Sequence, residues 1–206
     1  GWLDFYSWAG GKLYRNESGK NFVDATPKAL AERPMKVSRG AAWVDIDNDG
    51  YLDLYVAGYE IWQKAVYPDA LYRNVGGKDF VAHELPKARN MSARGVSAAD
   101  FDADGDVDVY VSNYRLFPNR LWRNDGGGKF TEIATPSGTA GDGGLGAWGH
   151  TIGSAWGDLD NDGYLDLFVG NFSHPPAYQD RPKFLRNRGP SGKFAFEDKS
   201  GGAGLH

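Results

Sequence analysis

Hydrophobic positions along this chain recur in short runs of one design. LDLYVAG from Leu52, VDVYVSN from Val107 and LDLFVGN from Leu165 alternate apolar with polar or small residues, the period of a β-strand. Each follows an acidic loop, and each loop follows a run of small residues: RGAAWV from Arg39, RGVSAA from Arg94 and IGSAWG from Ile152. A second theme comes after a variable segment and appears four times: LYRNESGKNFVDAT from Leu13, LYRNVGGKDFVAHE from Leu71, LWRNDGGGKFTEIA from Leu121 and FLRNRGPSGKFAFEDKS from Phe184. The spacing from Asp45 to Asp100 is 55 residues, and from Asp100 to Asp158 it is 58. A period of that size is the mark of a repeat architecture.

One repeat predicts four strands. Strand A is the small-residue run near 39–44, strand B the alternating run, strand C the LYRN segment near 71–74, and strand D begins near Phe80. Glycines between C and D supply the positive φ of a hairpin turn. Four antiparallel strands in a repeated unit of this length predict an all-β chain built as a β-propeller segment. A β-solenoid needs shorter repeats, and a sandwich needs no self-similarity. The chain reads as one segment, 1–206, with a partial blade at 1–36 and blades at 37–91, 92–148 and 149–206. GWLDFYSW from Gly1 aligns with GYLDLYVA from Gly50, so the first unit supplies only strands B, C and D. The expectation is an open edge, completed by neighbouring blades of a longer chain or by another copy.

The acidic loops carry the distinctive chemistry. They read DIDNDGYLD, DFDADGDVD and DLDNDGYLD, with aspartate at positions one, three, five and nine: Asp45, Asp47, Asp49 and Asp53; Asp100, Asp102, Asp104 and Asp108; Asp158, Asp160, Asp162 and Asp166. Glycine holds position six, and Tyr51, Asp106 or Tyr164 at position seven offers a backbone carbonyl. Two unit charges about 4 Å apart repel by roughly 4 kcal/mol at an effective dielectric near 20. Such loops are tolerable around a cation, and all-oxygen ligation suits Ca²⁺ better than the more hydrated Mg²⁺. Three sites predict about three Ca²⁺ ions. An EF-hand is excluded, because position twelve is Val56, Val111 or Val169 rather than glutamate and the flanks are strand-like. Asp4 alone survives of a fourth loop, so no fourth site is expected.

Charge distribution sharpens this picture. The three loops hold 13 of the 27 acidic residues and no basic ones, leaving 23 basic and 14 acidic residues elsewhere, a net +9. The Lys and Arg residues are scattered, which argues against nucleic acid. Cysteine is absent, excluding disulfides and thiolate chemistry. No run is long and apolar enough for a membrane span. The histidines (His83, His150, His174 and His206) form no paired metal motif and are expected in turns or connections. No nucleophile elbow, phosphate loop or dinucleotide fingerprint is present, and the glycine-dense 141–149 reads as a connection. Paired carboxylates that would suit a glycosidase are all accounted for by the loops. The recurring Arg15, Arg73, Arg123 and Arg186 and Asn16, Asn74, Asn124 and Asn187 read as structural, the asparagines at hairpin turns and the arginines bonding across the blade.

The B–C connections are rich in aromatics, Pro and Arg, and equivalent loops should gather on one rim. Trp62, Tyr67, Phe117 and Tyr178 are the candidate partner contacts, since interface centres favour such residues. Together, the acidic loops and the LYRN…F.D.T…AGL strings resemble the FG-GAP/VCBS repeats of integrin-α-type propellers, closest to bacterial and cartilage-acidic-protein-like members. The resemblance covers essentially the whole chain, although the literal FG and GAP tags are absent. It implies Ca²⁺ bound between strands A and B at the aspartates named above. The resulting expectation is a non-catalytic, extracellular, cell-surface or periplasmic scaffold, adhesion or assembly module. The alternative is a carbohydrate-binding propeller, a lectin or an accessory domain of a polysaccharide-active enzyme.

Overall fold

The computed structural model describes residues 2–33, 37–141, 148–172 and 181–204. A first sheet contains β1 (Phe5–Ser7), β2 (Lys12–Glu17) and β3 (Asn21–Asp24), and α1 (Lys28–Ala31) follows it. The second sheet is β4 (Ser38–Val44), β5 (Asp53–Gly58), β8 (Ala70–Val75) and β9 (Asp79–His83), with the small hairpin β6 (Glu60–Ile61) and β7 (Ala65–Val66) standing between β5 and β8. The third is β10 (Ser92–Ala99), β11 (Asp108–Tyr114), β12 (Arg120–Asn124) and β13 (Phe130–Glu132), followed by α2 (Ala134–Ser137). The fourth is β14 (Thr151–Gly157), β15 (Asp166–Asn171), β16 (Lys183–Asn187) and β17 (Phe196–Asp198). Among the described residues every pairing is antiparallel and joins strands consecutive in the chain, except that β5 pairs with β8 across the β6–β7 hairpin. The chain is thus all-β, three four-stranded sheets and one of three, and no ring closes among the described residues.

Strand alternation explains how the sheets stack. In β5, Leu54 and Val56 enter a core with Leu30, Tyr72 and Phe80, against which Tyr6 and Leu13 of the first sheet pack. Tyr55 and Ala57, on the other face, enter a second core with Val109, Val111 and Trp122 of the third sheet. Tyr110 points the opposite way, into a third core with Leu167, Val169 and Leu185 of the fourth. Each middle strand therefore feeds two cores, and all six residues of β5 are buried. Among the described residues the fourth sheet has one covered face, and Phe168 on its other face is exposed.

Polar ties reinforce the stack. Arg120 of β12 forms a buried ion pair with Asp69 of the second sheet's B–C connection at 2.6 Å. Tyr55 donates to the same carboxylate (2.8 Å), and the Trp122 indole donates to the Tyr55 hydroxyl (2.9 Å). The A strands approach each other closely. A Cβ on Gly95 would lie 2.8 Å from the Ile152 carbonyl oxygen, so only glycine lets β10 and β14 meet there. The two short helices lie outside the strand pattern read from sequence. They sit in the connections after strand D, where Leu30 and Ala134 plug the cores.

Candidate metal centres

The acidic loops join the first two strands of each four-stranded sheet and share one conformation. Asp45 accepts from the backbone N–H groups of Asp49 (3.2 Å) and Gly50 (3.0 Å). Asp100 and Asp158 repeat this at 3.1 and 3.0 Å. The fifth-position aspartates accept from the N–H two residues on, at 2.9, 2.9 and 3.0 Å. These Asx-type bonds curl the loop so that its carboxylates face inward. The turn requires positive φ at position six, filled by Gly50, Gly105 and Gly163 (86°, 94° and 91°), and at position four, filled by Asn48, Ala103 and Asn161 (55°, 56° and 58°).

Position nine is the anchor. Asp53, Asp108 and Asp166 are 0%, 1% and 0% exposed. One oxygen of each accepts from the N–H at position two: Ile46 (2.9 Å), Phe101 (3.0 Å) and Leu159 (3.0 Å). The other accepts from the N–H of the LYRN asparagine: Asn74 (2.6 Å), Asn124 (2.8 Å) and Asn187 (2.9 Å). The carboxylate thus fastens loop, strand B and strand C together. It also completes a triad with positions one and three, whose donor oxygens lie within 4.8 Å of one another in all three loops: Asp45, Asp47 and Asp53; Asp100, Asp102 and Asp108; Asp158, Asp160 and Asp166.

Electrostatics in these loops favour a cation. Asp47 Oδ1 and Asp102 Oδ1 are buried with no hydrogen-bond partner, and such atoms are costly unless paired. Burial, with the charges of Asp104 and Asp100, pushes Asp102 up to about 6. Burial likewise pushes Asp108 up to about 8, aided by Asp102 and Asp104, and raises Asp53. The donors are all hard oxygens at chelating separation, the ligand type Ca²⁺ prefers. The residues present fit that ion.

The structure brings positions one, three and nine together. Asp49, Asp104 and Asp162 each commit one oxygen to the turn. Asp106 uses its carboxylate to accept from Asn48 of the preceding loop (2.9 Å). The Tyr51 ring packs over Gly77 and the Tyr164 ring over Gly189, so any role at position seven belongs to the backbone. Asp4 occupies the place of Asp53, accepting from the Asn16 N–H at 2.7 Å, but no triad forms around it among the described residues. Of the four recurring arginines two reach the acidic loop and two do not, Arg15 turning to Glu17 of its own strand (2.9 Å). Arg73 pairs with Asp47 (2.5 Å) and Arg186 with Asp160 and Asp162, whereas Arg123 turns to Asp125 (2.7 Å). Among the described residues no guanidinium pairs with Asp102, and Arg123 acts on it only through its charge.

The asparagines do more than the sequence reading assigned them. Besides capping the hairpins, Asn124 donates to the Ile46 carbonyl (2.9 Å) and Asn187 to the Phe101 carbonyl (2.9 Å), each in the loop of the preceding sheet. Their recurrence at a fixed offset was the available signal. His83 ends β9 rather than lying in a turn, and its Nε2 lies 2.9 Å from the Gly128 carbonyl oxygen. Among the proposed partner residues, Trp62 is 61% exposed with Arg115 stacked over it at 4.4 Å. Phe117 is half-buried under Arg89, Tyr67 packs against the core beside Leu54, and Tyr178 lies outside the described residues.

A family model described as FG-GAP-like repeat matches residues 1–56 and 112–169. Cartilage acidic protein 1 of Mus musculus is 28% identical over 168 residues, and that of Homo sapiens is 29% identical over 172. The Xenopus tropicalis protein of the same name is 28% identical over 171. Each match covers 77% of this chain, which spans about a quarter of these relatives, 24% of their length.

Proposed function

The chain belongs to the FG-GAP-like repeat family, and on that premise we propose that it is a calcium-stabilised, non-catalytic interaction module acting outside the cell. Its sheets are blades of a β-propeller, a partial one at 1–36 and whole ones at 37–91, 92–148 and 149–206. Asp45, Asp47, Asp49 and Asp53, with their counterparts in loops 100–108 and 158–166, hold one Ca²⁺ each, and the position-seven carbonyls of Tyr51, Asp106 and Tyr164 complete the oxygen set. When bound, the ion supplies charge neutralisation. The protein's own part is to aim the inner oxygens, through the backbone bonds on position nine and, in the first and third loops, the arginine grip on Asp47 and Asp160.

The observation that carries this reading is the threefold repetition of one chelating triad at one place in the repeat. Extracellular calcium near millimolar suffices for sites even of about 10⁻⁴–10⁻³ M affinity. The relatives' name refers to cartilage, which supports a place outside the cell. Among the described residues no helix is long and apolar enough to cross a membrane. Partners, another protein, a second copy or a glycan, meet the open blade edge or the B–C rim at Trp62, Tyr67, Phe117 and Tyr178.

Calorimetric titration of chelator-treated protein tests the reading, with three calcium ions as the expected stoichiometry. At free calcium about 100-fold above Kd each site contributes about 2.7 kcal/mol, so three contribute about 8 kcal/mol. For a chain of this size that is a rise of about 16–32 °C in melting temperature. A melting curve that EGTA leaves unchanged overturns it.

A further inference from the structure

The ends of the sheets opposite the acidic loops carry an arrangement that calcium does not explain. Strands β4 and β10 each contain a bulge: Ser38 pairs with Gly58 but Gly40 with Ala57, and Ala93 pairs with Asn113 but Gly95 with Ser112. The extra residues are Arg39 and Arg94, and a bulge re-aims the side chain it carries. Arg39 lies 5.6 Å from the Trp8 ring centre and 5.3 Å from that of Tyr59. Arg94 lies 5.2 Å from Tyr59 and 4.6 Å from Tyr114, which meets His150 edge-on at 4.9 Å. The column therefore alternates Trp8, Arg39, Tyr59, Arg94, Tyr114, His150 and touches all four sheets. Both guanidinium carbons flank Tyr59, so they stand no more than 10.5 Å apart, the sum of their distances to that ring.

Stacking occupies the faces of these guanidiniums and leaves their N–H edges. Among the described residues no carboxylate pairs with Arg39 or Arg94, and Arg94 Nε is buried without a hydrogen-bond partner. Their neighbours differ: Arg115 has Glu60 and Arg120 has Asp69. Arg39 is exposed and Arg94 half-buried, so Arg94 is the cation for which an anionic partner gains most, and Arg39 offers solvent-facing donors beside it. The loop aspartates lie too far away to serve as that partner. Five residues of strand separate the Ser38 pair from the Asp53 pair, roughly 17 Å at 3.3–3.4 Å per residue.

We propose that Arg39 and Arg94 recognise an acidic polysaccharide, their edges taking carboxylate or sulfate groups while Trp8, beside Arg39, and Trp62, on the β6–β7 turn three residues beyond Tyr59, receive its sugar faces. This rests on the reading of the chain as a non-catalytic binding module and names its ligand class. Two cations at fixed separation suit a chain whose charges repeat. The two tryptophans, 37% and 61% exposed, each carry a guanidinium on one face, Arg39 on Trp8 and Arg115 on Trp62, and sugar C–H groups would stack on the exposed remainder. An acidic peptide satisfies the arginines but leaves those rings unused.

The test is calorimetric binding to the calcium-loaded chain at about 0.15 M salt. The probes are a heparin oligosaccharide, a polygalacturonate oligosaccharide, an uncharged cello-oligosaccharide and poly-glutamate. At least one of the acidic glycans should bind and the cello-oligosaccharide should not. The Arg39→Gln/Arg94→Gln variant should weaken that binding about tenfold or more, the loss expected from removing charge-assisted hydrogen bonds. Trp62→Ala, at an exposed ring where folding is not at stake, should weaken it several-fold. Absence of acidic-glycan binding, unchanged affinity in either variant, or equally tight poly-glutamate binding overturns the proposal. Calcium stoichiometry measured on the same samples separates the two readings: a chain that takes up calcium and binds no glycan refutes the ladder alone.

Discussion

Replacing Asp108 by asparagine isolates the double duty of position nine. The side chain keeps its size, but one carboxylate oxygen becomes an amide that donates. Asp108 accepts from Phe101 on one side and Asn124 on the other, so whichever way the amide turns, one buried backbone N–H loses its acceptor. That costs about 1–3 kcal/mol. The substitution also removes an anionic ligand from the triad of loop 100–108. If calcium at about 100 times Kd fills the wild-type site, its loss costs a further 2.7 kcal/mol or so. The total, about 4–6 kcal/mol, lowers the melting temperature by about 8–24 °C. In EGTA the wild type has already lost the cation, and its Asp108 is a group whose charge burial resists. The gap between the two proteins should then shrink to about 3 kcal/mol or less. Circular-dichroism melts of both proteins with calcium and with EGTA complete the cycle. An equal or larger gap in EGTA refutes the reasoning, because it means that Asp108 serves the fold and not the ion.

Ala103 holds a position-four φ of 56°, where the other two loops carry Asn. Since an ordinary L-residue is strained there by about 1–2 kcal/mol and asparagine is not, Ala103→Asn should raise stability by about 0.5–1 kcal/mol in urea denaturation, and a loss of stability contradicts the shared-loop geometry. Asp69→Ala strands the Arg120 guanidinium in the interior together with the Tyr55 hydroxyl, and should cost about 3–5 kcal/mol. Adding Arg120→Met should recover part of that loss, and a double variant no more stable than Asp69→Ala rules out an uncompensated charge as the cause.

Much of this was legible in the residues themselves. The loops announce their geometry because a turn that gathers carboxylates needs them two apart, with glycine at the tight point. The alignment of Asp4 with Asp53 could be read from GWLDFYSW alone, and the hydrogen bonds of Asn16 and Asn74 repeat one another. Illegible features depend on which sheet lies against which. Nothing local in LWRN says that Asn124 reaches the Ile46 carbonyl, since that carbonyl belongs to a loop 78 residues away. Nor does RGAAW disclose that Arg39 is a bulge, because a bulge is a relation between two strands. The short helices escaped notice because a four-residue turn has no periodicity, and Leu30 is held there by the core it fills.

Because β5 and β11 each send alternate side chains into different cores, no layer of this molecule owns its stability. Among the described residues, sheets two and three are wedged on both flanks, while the first and fourth lean on a single neighbour each. Resistance to opening must then taper from the middle of the stack toward its ends, as in any quasi-one-dimensional array. A contact made at the exposed Phe168 would brace the whole column, since tightening one joint steadies the next.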